Sequence, residues 1–304
     1  MQRALKTLSR ELFTSDASGT RGYRLHVRAV ELFLVAYAAY FCWDWGFYVQ
    51  RNITEVLLPL GIAQYIDVSF LFDNYLAVAN AALVTLFGAL GFFRIGRGSY
   101  AIAFALFHLQ YTARYSLGEI SHGSNLVGMG ILALALTSLF FADESNRRRF
   151  TMGFLYFFIG LGYTSAAVCK LVATGITWVD GHHLLLWIAE RKVDTISKFG
   201  AFDPNLLQEM ILVNYHWGTA ALLFGLVAES LSFLMWWRRF RYPIVMLVVT
   251  MHFGILVTMN IFFAASTYLL ILLALPWPWL LNRLFDQMKE ASRSAAPPAR
   301  ADWA

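Results

Sequence analysis

The sequence predicts an all-α, polytopic integral membrane protein: a bundle of about eight transmembrane helices with both termini in the cytoplasm. Three observations carry this reading. Of 304 residues, 59% are hydrophobic and only 14% charged, where a soluble domain carries roughly a quarter charged residues. The apolar residues come in long blocks instead of alternating, and mean hydropathy is +0.55. Short basic clusters recur between the blocks.

About 20 apolar residues in a helix cross a hydrocarbon core of roughly 30 Å. Only helices and closed barrels satisfy every backbone group in lipid, and these runs are too long and uniform for barrel strands. Residues 1–29 read as a cytoplasmic amphipathic segment without a signal-peptide cleavage pattern. The membrane domain covers 30–283. Its spans are placed near 30–49, 75–93, 100–117, 126–141, 150–172 and 217–237. The apolar stretch 243–281 is too long for one crossing and divides near Met259 and Asn260. Residues 56–68 read as re-entrant or interfacial. The polar stretch 174–214 is an outer loop. Pro276 and Pro278 disturb the last helix near its end, and 284–304 reads as an unstructured cytoplasmic tail.

Orientation follows from charge. Arg94 and Arg97 follow the second span, Arg147 to Arg149 the fourth, and Arg238, Arg239 and Arg241 the sixth. With the basic N-terminus, every even-numbered connection is positive, which is the positive-inside pattern. The net charge of +5 therefore belongs to the membrane and predicts no nucleic-acid partner. Localisation in a bacterial inner membrane is expected. The two cysteines, Cys42 and Cys169, fall in spans and predict no disulfide framework.

Charged groups at membrane depth are functional candidates. Tyr111, Arg114, Tyr115 and Glu119 share a helix face at spacings of three and four. Arg114 is either a snorkelling cation paired with Glu119 or a carboxylate clamp. Lys170 lies near the outer end of the fifth span, as a snorkelling lysine or as a base among apolar neighbours. Glu229 and His252 sit deeper, with His252 as a packing residue or the two as a hydrogen-bonded couple that orients the helices. His122, His182, His183 and His216 show no metal-ligand spacing, so no metal is expected. No phosphate-binding loop, nucleophile elbow or CxxC is present.

Three segments together resemble the vitamin K-dependent gamma-carboxylase-like family, also called the horizontally transferred transmembrane (HTTM) domain family. The first is Cys169-Lys170-Leu171 with Ala173 and then Trp178-Val179-Asp180-Gly181, where the gap before the tryptophan is about two residues longer than in the family. The second is Glu229 followed on the next helix by His252. The third, Ser121-His122-Gly123-Ser124-Asn125, resembles a polar Asn-His pair with the histidine shifted by one.

The resemblance implies a reduced quinone, vitamin K hydroquinone or a relative, as cofactor. Lys170 would be the base that deprotonates it. His122 would stabilise the oxyanion, and Glu229 and His252 would support the site. The family reaction uses oxygen to turn the quinol into a strong base that carboxylates a peptide glutamate. Arg114, Glu119, Tyr111, Trp178 and Asp180 are the candidate substrate-binding residues. The partners expected are the bilayer, a peptide or small lipid-soluble substrate, and an accessory subunit. A non-catalytic accessory or immunity protein, serving maturation or export of a secreted peptide toxin, is the alternative. A transporter is disfavoured because no inverted repeat is visible.

Overall fold

A computed structural model describes residues 10–11, 19–52, 55–72, 75–118 and 122–294. The described chain is all-α and multi-helical, with long apolar helices fit for a membrane. In chain order the helices are α1 (Arg21–Asn52), α2 (Leu76–Phe92), α3 (Ser99–Tyr115), α4 (His122–Phe140) and α5 (Glu144–Thr174). They continue with α6 (Gly181–Phe199), α7 (Leu206–Val213), α8 (Tyr215–Ser230), α9 (Arg238–Met259), α10 (Ala264–Ala274) and α11 (Trp277–Ser294). A 3-10 turn, Gly175–Val179, joins α5 to α6, and a longer one, Leu231–Trp236, extends α8.

Local chemistry sets the ends. Asp143 caps α5 by accepting the Asn146 N–H at 2.7 Å, and Gly175 ends it at φ 62°. Asn260 closes α9 in the left-handed region, at φ 53°. This is the division expected near Met259 and Asn260. Between α10 and α11 the chain bends by 58° at Pro276, where proline cannot continue the helix.

Among the described residues, four stretches are long and apolar enough to cross a membrane: Arg21–Phe47, Glu144–Val179, Tyr215–Trp236 and Arg238–Met259. The bent pair of α10 and α11 makes a fifth if counted as one. This is fewer than the eight expected. The reason is length: α2 and α3 have 17 residues each, about 26 Å at 1.5 Å per residue, and α10 has 11. Residues 56–68 contain a 3-10 turn, Gly61–Gln64, with no buried residue. The tail expected to be unstructured from 284 is helical as far as Ser294. Trp45 is buried inside the bundle, at 2% exposure.

Helix α1 is the organising element, packed against α2, α3, α4, α10 and α11. The main core joins its face (Val30, Leu34, Ala38, Phe41) to buried residues of α4, α5, α9 and α10. A smaller core of Leu184, Ile188, Ile211 and Leu222 fastens α6 and α7 onto α8. Several polar groups inside are paired: Asn80 donates to Gln110 at 2.7 Å. Glu31, 1% exposed, accepts from Arg28 at 2.7 Å, from Arg94, and from the Tyr100 hydroxyl. Arg94 continues to Glu144 at 3.0 Å, and Tyr23 of α1 donates to the Arg148 carbonyl. The basic clusters near the starts of α1, α3, α5 and α9 thus gather at one end of the bundle.

Candidate functional site

Helix α5 carries Gly160, Tyr163, Ala167 and Lys170 at spacings of three and four, so they share one face. Gly160 lets that face touch backbone: a Cβ there would lie 2.5 Å from the Ser232 carbonyl oxygen in the 3-10 extension of α8. Two residues before that extension stands Glu229. The Lys170 Nζ lies 2.6 Å from both carboxylate oxygens of Glu229. The ammonium also sits over the Trp178 ring, 4.4 Å from its centroid. Thr164 donates to the Glu229 carbonyl at 3.3 Å and holds the α8 backbone alongside α5.

The pair is not sealed inside protein. It forms one edge of a cavity of about 660 Å³ between α6, α7, α8 and α9. Space exists there because facing positions are small: Ala221 and Gly225 stand two turns and one turn before Glu229 on α8, and Gly254 faces them from α9. The walls are Trp187, Trp217, Phe224, Met251 and Phe263. A single acid-base pair therefore meets a chamber that is otherwise apolar and aromatic, the composition of a site for a small lipid-soluble molecule.

His252 lies one layer behind the wall. Its Nε2 is 2.6 Å from the Tyr163 hydroxyl, and its ring stands edge-on to Phe263 with centroids 5.4 Å apart. Its buried Nδ1 has no hydrogen-bond partner. Asp180 does not line the cavity. Its carboxylate caps α6 by accepting the His182 N–H at 3.0 Å. That backbone hydrogen bond, joined by one from the His182 side chain, holds the Asp180 carboxyl below the usual carboxylate range.

Tyr111 and Arg114 belong to a different place. The Arg114 guanidinium lies over the rings of Phe41 and Trp45 of α1, at 4.8 and 5.5 Å. Tyr111 packs against Tyr115 with centroids 4.1 Å apart. Neither lines the cavity of Lys170. Glu119 lies outside the described residues, and for His122 only the helix is described. The structure thus brings together Lys170, Trp178 and Glu229, with His252 adjacent. Sequence reasoning missed Trp187 and Trp217. The signal for Trp187 was the Leu184, Trp187, Ile188 spacing on a strongly amphipathic α6. Among the described residues, no three His, Cys, Asp or Glu side chains converge to hold a metal ion.

No family model, curated protein or solved structure matches this chain. The site is therefore read from its own geometry.

The cavity depends on how closely α6 approaches α8. A Cβ on Gly181 would meet the Tyr215 carbonyl oxygen at 1.9 Å, and one on Gly218 would meet Gly181 backbone at 2.9 Å. Gly181→Ala is expected to push the start of α6 away and cost about 1–3 kcal/mol by overpacking. Thermal unfolding in detergent checks this, with Gly162→Ala as control, because nothing lies within 4 Å of that position. Equal melting temperatures for the two variants would refute the close-contact account.

Proposed function

We propose that the chain is a membrane-embedded, carboxylase-like enzyme. It binds a lipid-soluble hydroquinone in the Lys170 cavity and modifies a peptide or small lipid-soluble substrate. The supporting observation is that a lysine and a glutamate in contact open onto an aromatic-walled chamber between apolar helices. The sequence resemblance around Lys170 and Trp178 supplies the reaction class.

The residues present suit such a molecule. A volume of about 660 Å³ falls inside the roughly 300–1,000 Å³ range of small-molecule sites. Trp178, Trp187 and Trp217 offer flat faces for a fused ring. Among the described residues, Lys170 and Glu229 are the only charged groups on the cavity wall, and they can meet a phenolic hydroxyl. A bound hydroquinone would supply the reducing equivalents of the reaction. The protein's part is proton handling. Lys170 holds three N–H bonds and Glu229 four lone-pair positions, so a proton can pass from Nζ to the carboxylate within the existing contact. The amine so freed accepts the hydroxyl proton. Tyr163 and His252 brace the α5–α9 contact behind it. With the arginine-rich end in the cytoplasm, the cavity faces the outer leaflet and a quinol enters sideways from lipid.

Ligand binding tests this directly. Titrating the purified chain with a naphthohydroquinone should quench the fluorescence of the cavity tryptophans with saturation. Gly225→Leu places a side chain into the cavity, since its Cβ meets only Met251, at 3.8 Å. That variant should stay folded and lose at least about tenfold in affinity, because filling the site displaces several ligand atoms each worth roughly 0.3 kcal/mol or more. Unchanged binding in Gly225→Leu, or no saturable quenching in the parent, would overturn the quinol reading. A non-catalytic accessory role would then stand in its place.

A further inference from the structure

The larger cavity lies at the other end of the molecule. Arg149 and Lys170 are on the same helix, about 30 Å apart by helical rise, and Arg149 lines a pocket of about 880 Å³. Arg10, Arg238, Arg239 and Arg241 also line it, and among the described residues Glu11 is its only carboxylate. Arginines on a cytoplasmic rim ordinarily point apart into water. Here they converge from the N-terminal segment, the start of α5 and the start of α9 onto one concave wall. Like charges brought together repel, and Glu11 is already engaged: its carboxylate accepts the Arg238 N–H at 3.2 Å.

A second, independent observation points to a ligand. His26 lines the same pocket at 4% exposure. Its Nε2 is 2.7 Å from the Leu272 carbonyl, so Nε2 carries the proton and Nδ1 is an acceptor. That buried Nδ1 has no partner, and neither does the buried Nε of Arg149. The pocket thus gathers guanidinium groups, with the Arg149 Nε unpaired, beside one orphan acceptor. An anion satisfies the first and a hydroxyl the second. Arg241 already donates to the Met235, Glu11 and Trp236 carbonyls, and a phosphate presents more oxygens than a carboxylate to the planar forks of Arg149 and Arg239.

The mouth of the pocket identifies the source. Trp237 and Trp279, 38% and 57% exposed, flank it together with Pro276 and Pro278. Exposed tryptophans at the end of a helical bundle mark headgroup depth, and basic pockets between helices on the cytoplasmic side suit anionic headgroups. We propose that this pocket binds the phosphate of an anionic phospholipid, with a headgroup hydroxyl reaching His26.

The test uses the full chain purified in neutral detergent. Phosphatidylglycerol, phosphatidylcholine with the same acyl chains, and inorganic phosphate are titrated separately and followed by native mass spectrometry and thermal shift. Phosphatidylglycerol should bind saturably and phosphatidylcholine should not. Arg149→Gln and Arg239→Gln should each weaken binding about tenfold, the loss of one charge-assisted hydrogen bond. The Arg239 guanidinium rests on Phe240 at 4.5 Å at the pocket's edge, so its variant keeps the fold testable. Arg191→Gln, which removes an equal charge on α6, should change nothing. If inorganic phosphate binds with the same dependence on Arg149 and Arg239, the phosphate site stands and its source is soluble. Indifference between the two lipids, wild-type affinity in both arginine variants, or an equal loss in Arg191→Gln would overturn the site.

Discussion

Lys170→Arg should reduce turnover by roughly 10²- to 10⁴-fold, the usual contribution of a positioned acid or base, while the protein inserts and folds normally. The two halves of this expectation come from the same contact. Arginine keeps the positive charge and can still bridge both Glu229 oxygens, now 2.6 Å from the lysine nitrogen. It therefore preserves the tie between α5 and α8. It cannot release its proton in a protein, so a step that needs a neutral nitrogen stops. Lys170→Gln removes the charge as well and should lower the melting temperature, since Glu229, 7% exposed, loses its counter-ion. Activity measured with a reduced naphthoquinone, beside melting curves for both variants, separates the roles. A Lys170→Arg protein with wild-type turnover would leave the ion pair as a helix tie and nothing more.

The largest loss of stability is expected at Glu31. Arg28, Arg94 and Tyr100 all donate to this one carboxylate, which is 1% exposed. Glu31→Ala leaves two guanidinium groups and a hydroxyl facing a gap, and removing one partner of a buried pair costs about 3–5 kcal/mol. Glu144 bonds the same Arg94 at 3.0 Å, but its side chain is 41% exposed, so Glu144→Ala should cost no more than about 1 kcal/mol. Denaturation in mixed micelles compares the two. A double variant that also replaces Arg94 by methionine should recover part of the Glu31 loss, because the stranded charge goes with it. Similar losses for Glu31→Ala and Glu144→Ala would show that the network is not the buried anchor its geometry describes.

Part of the candidate site is legible in the amino-acid sequence. Lys170, Glu229 and His252 stand out because ionisable groups are costly in lipid, and cost is visible in a sequence. Their partnership is not. Lys170 and Glu229 are separated by the whole of α6 and α7, and nothing in local spacing says which helix faces which. Arg114 passes the same cost criterion, yet it lies over Phe41 and Trp45 on α1, away from the Lys170 cavity. Asp180 sits beside the motif residue Trp178 in sequence, yet it caps a helix while Trp178 meets the ammonium. Residues two apart at a helix start point in different directions, so a motif does not assign roles one by one.

Composition and block length by themselves determined that this chain is all-α and suited to a membrane, because burial of backbone polar groups in lipid admits few alternatives. The arginine clusters were visible too, and their gathering at one end follows from the alternation of blocks. Tertiary structure alone decided how many helices are long enough to cross. It also decided that the chain turns by as much as 58° at Pro276 and that small residues on α8 and α9 leave a chamber beside Lys170. The reason is physical. Transfer into lipid depends on what a segment is made of, whereas a cavity depends on which faces meet, and facing surfaces are chosen by packing between residues far apart in sequence.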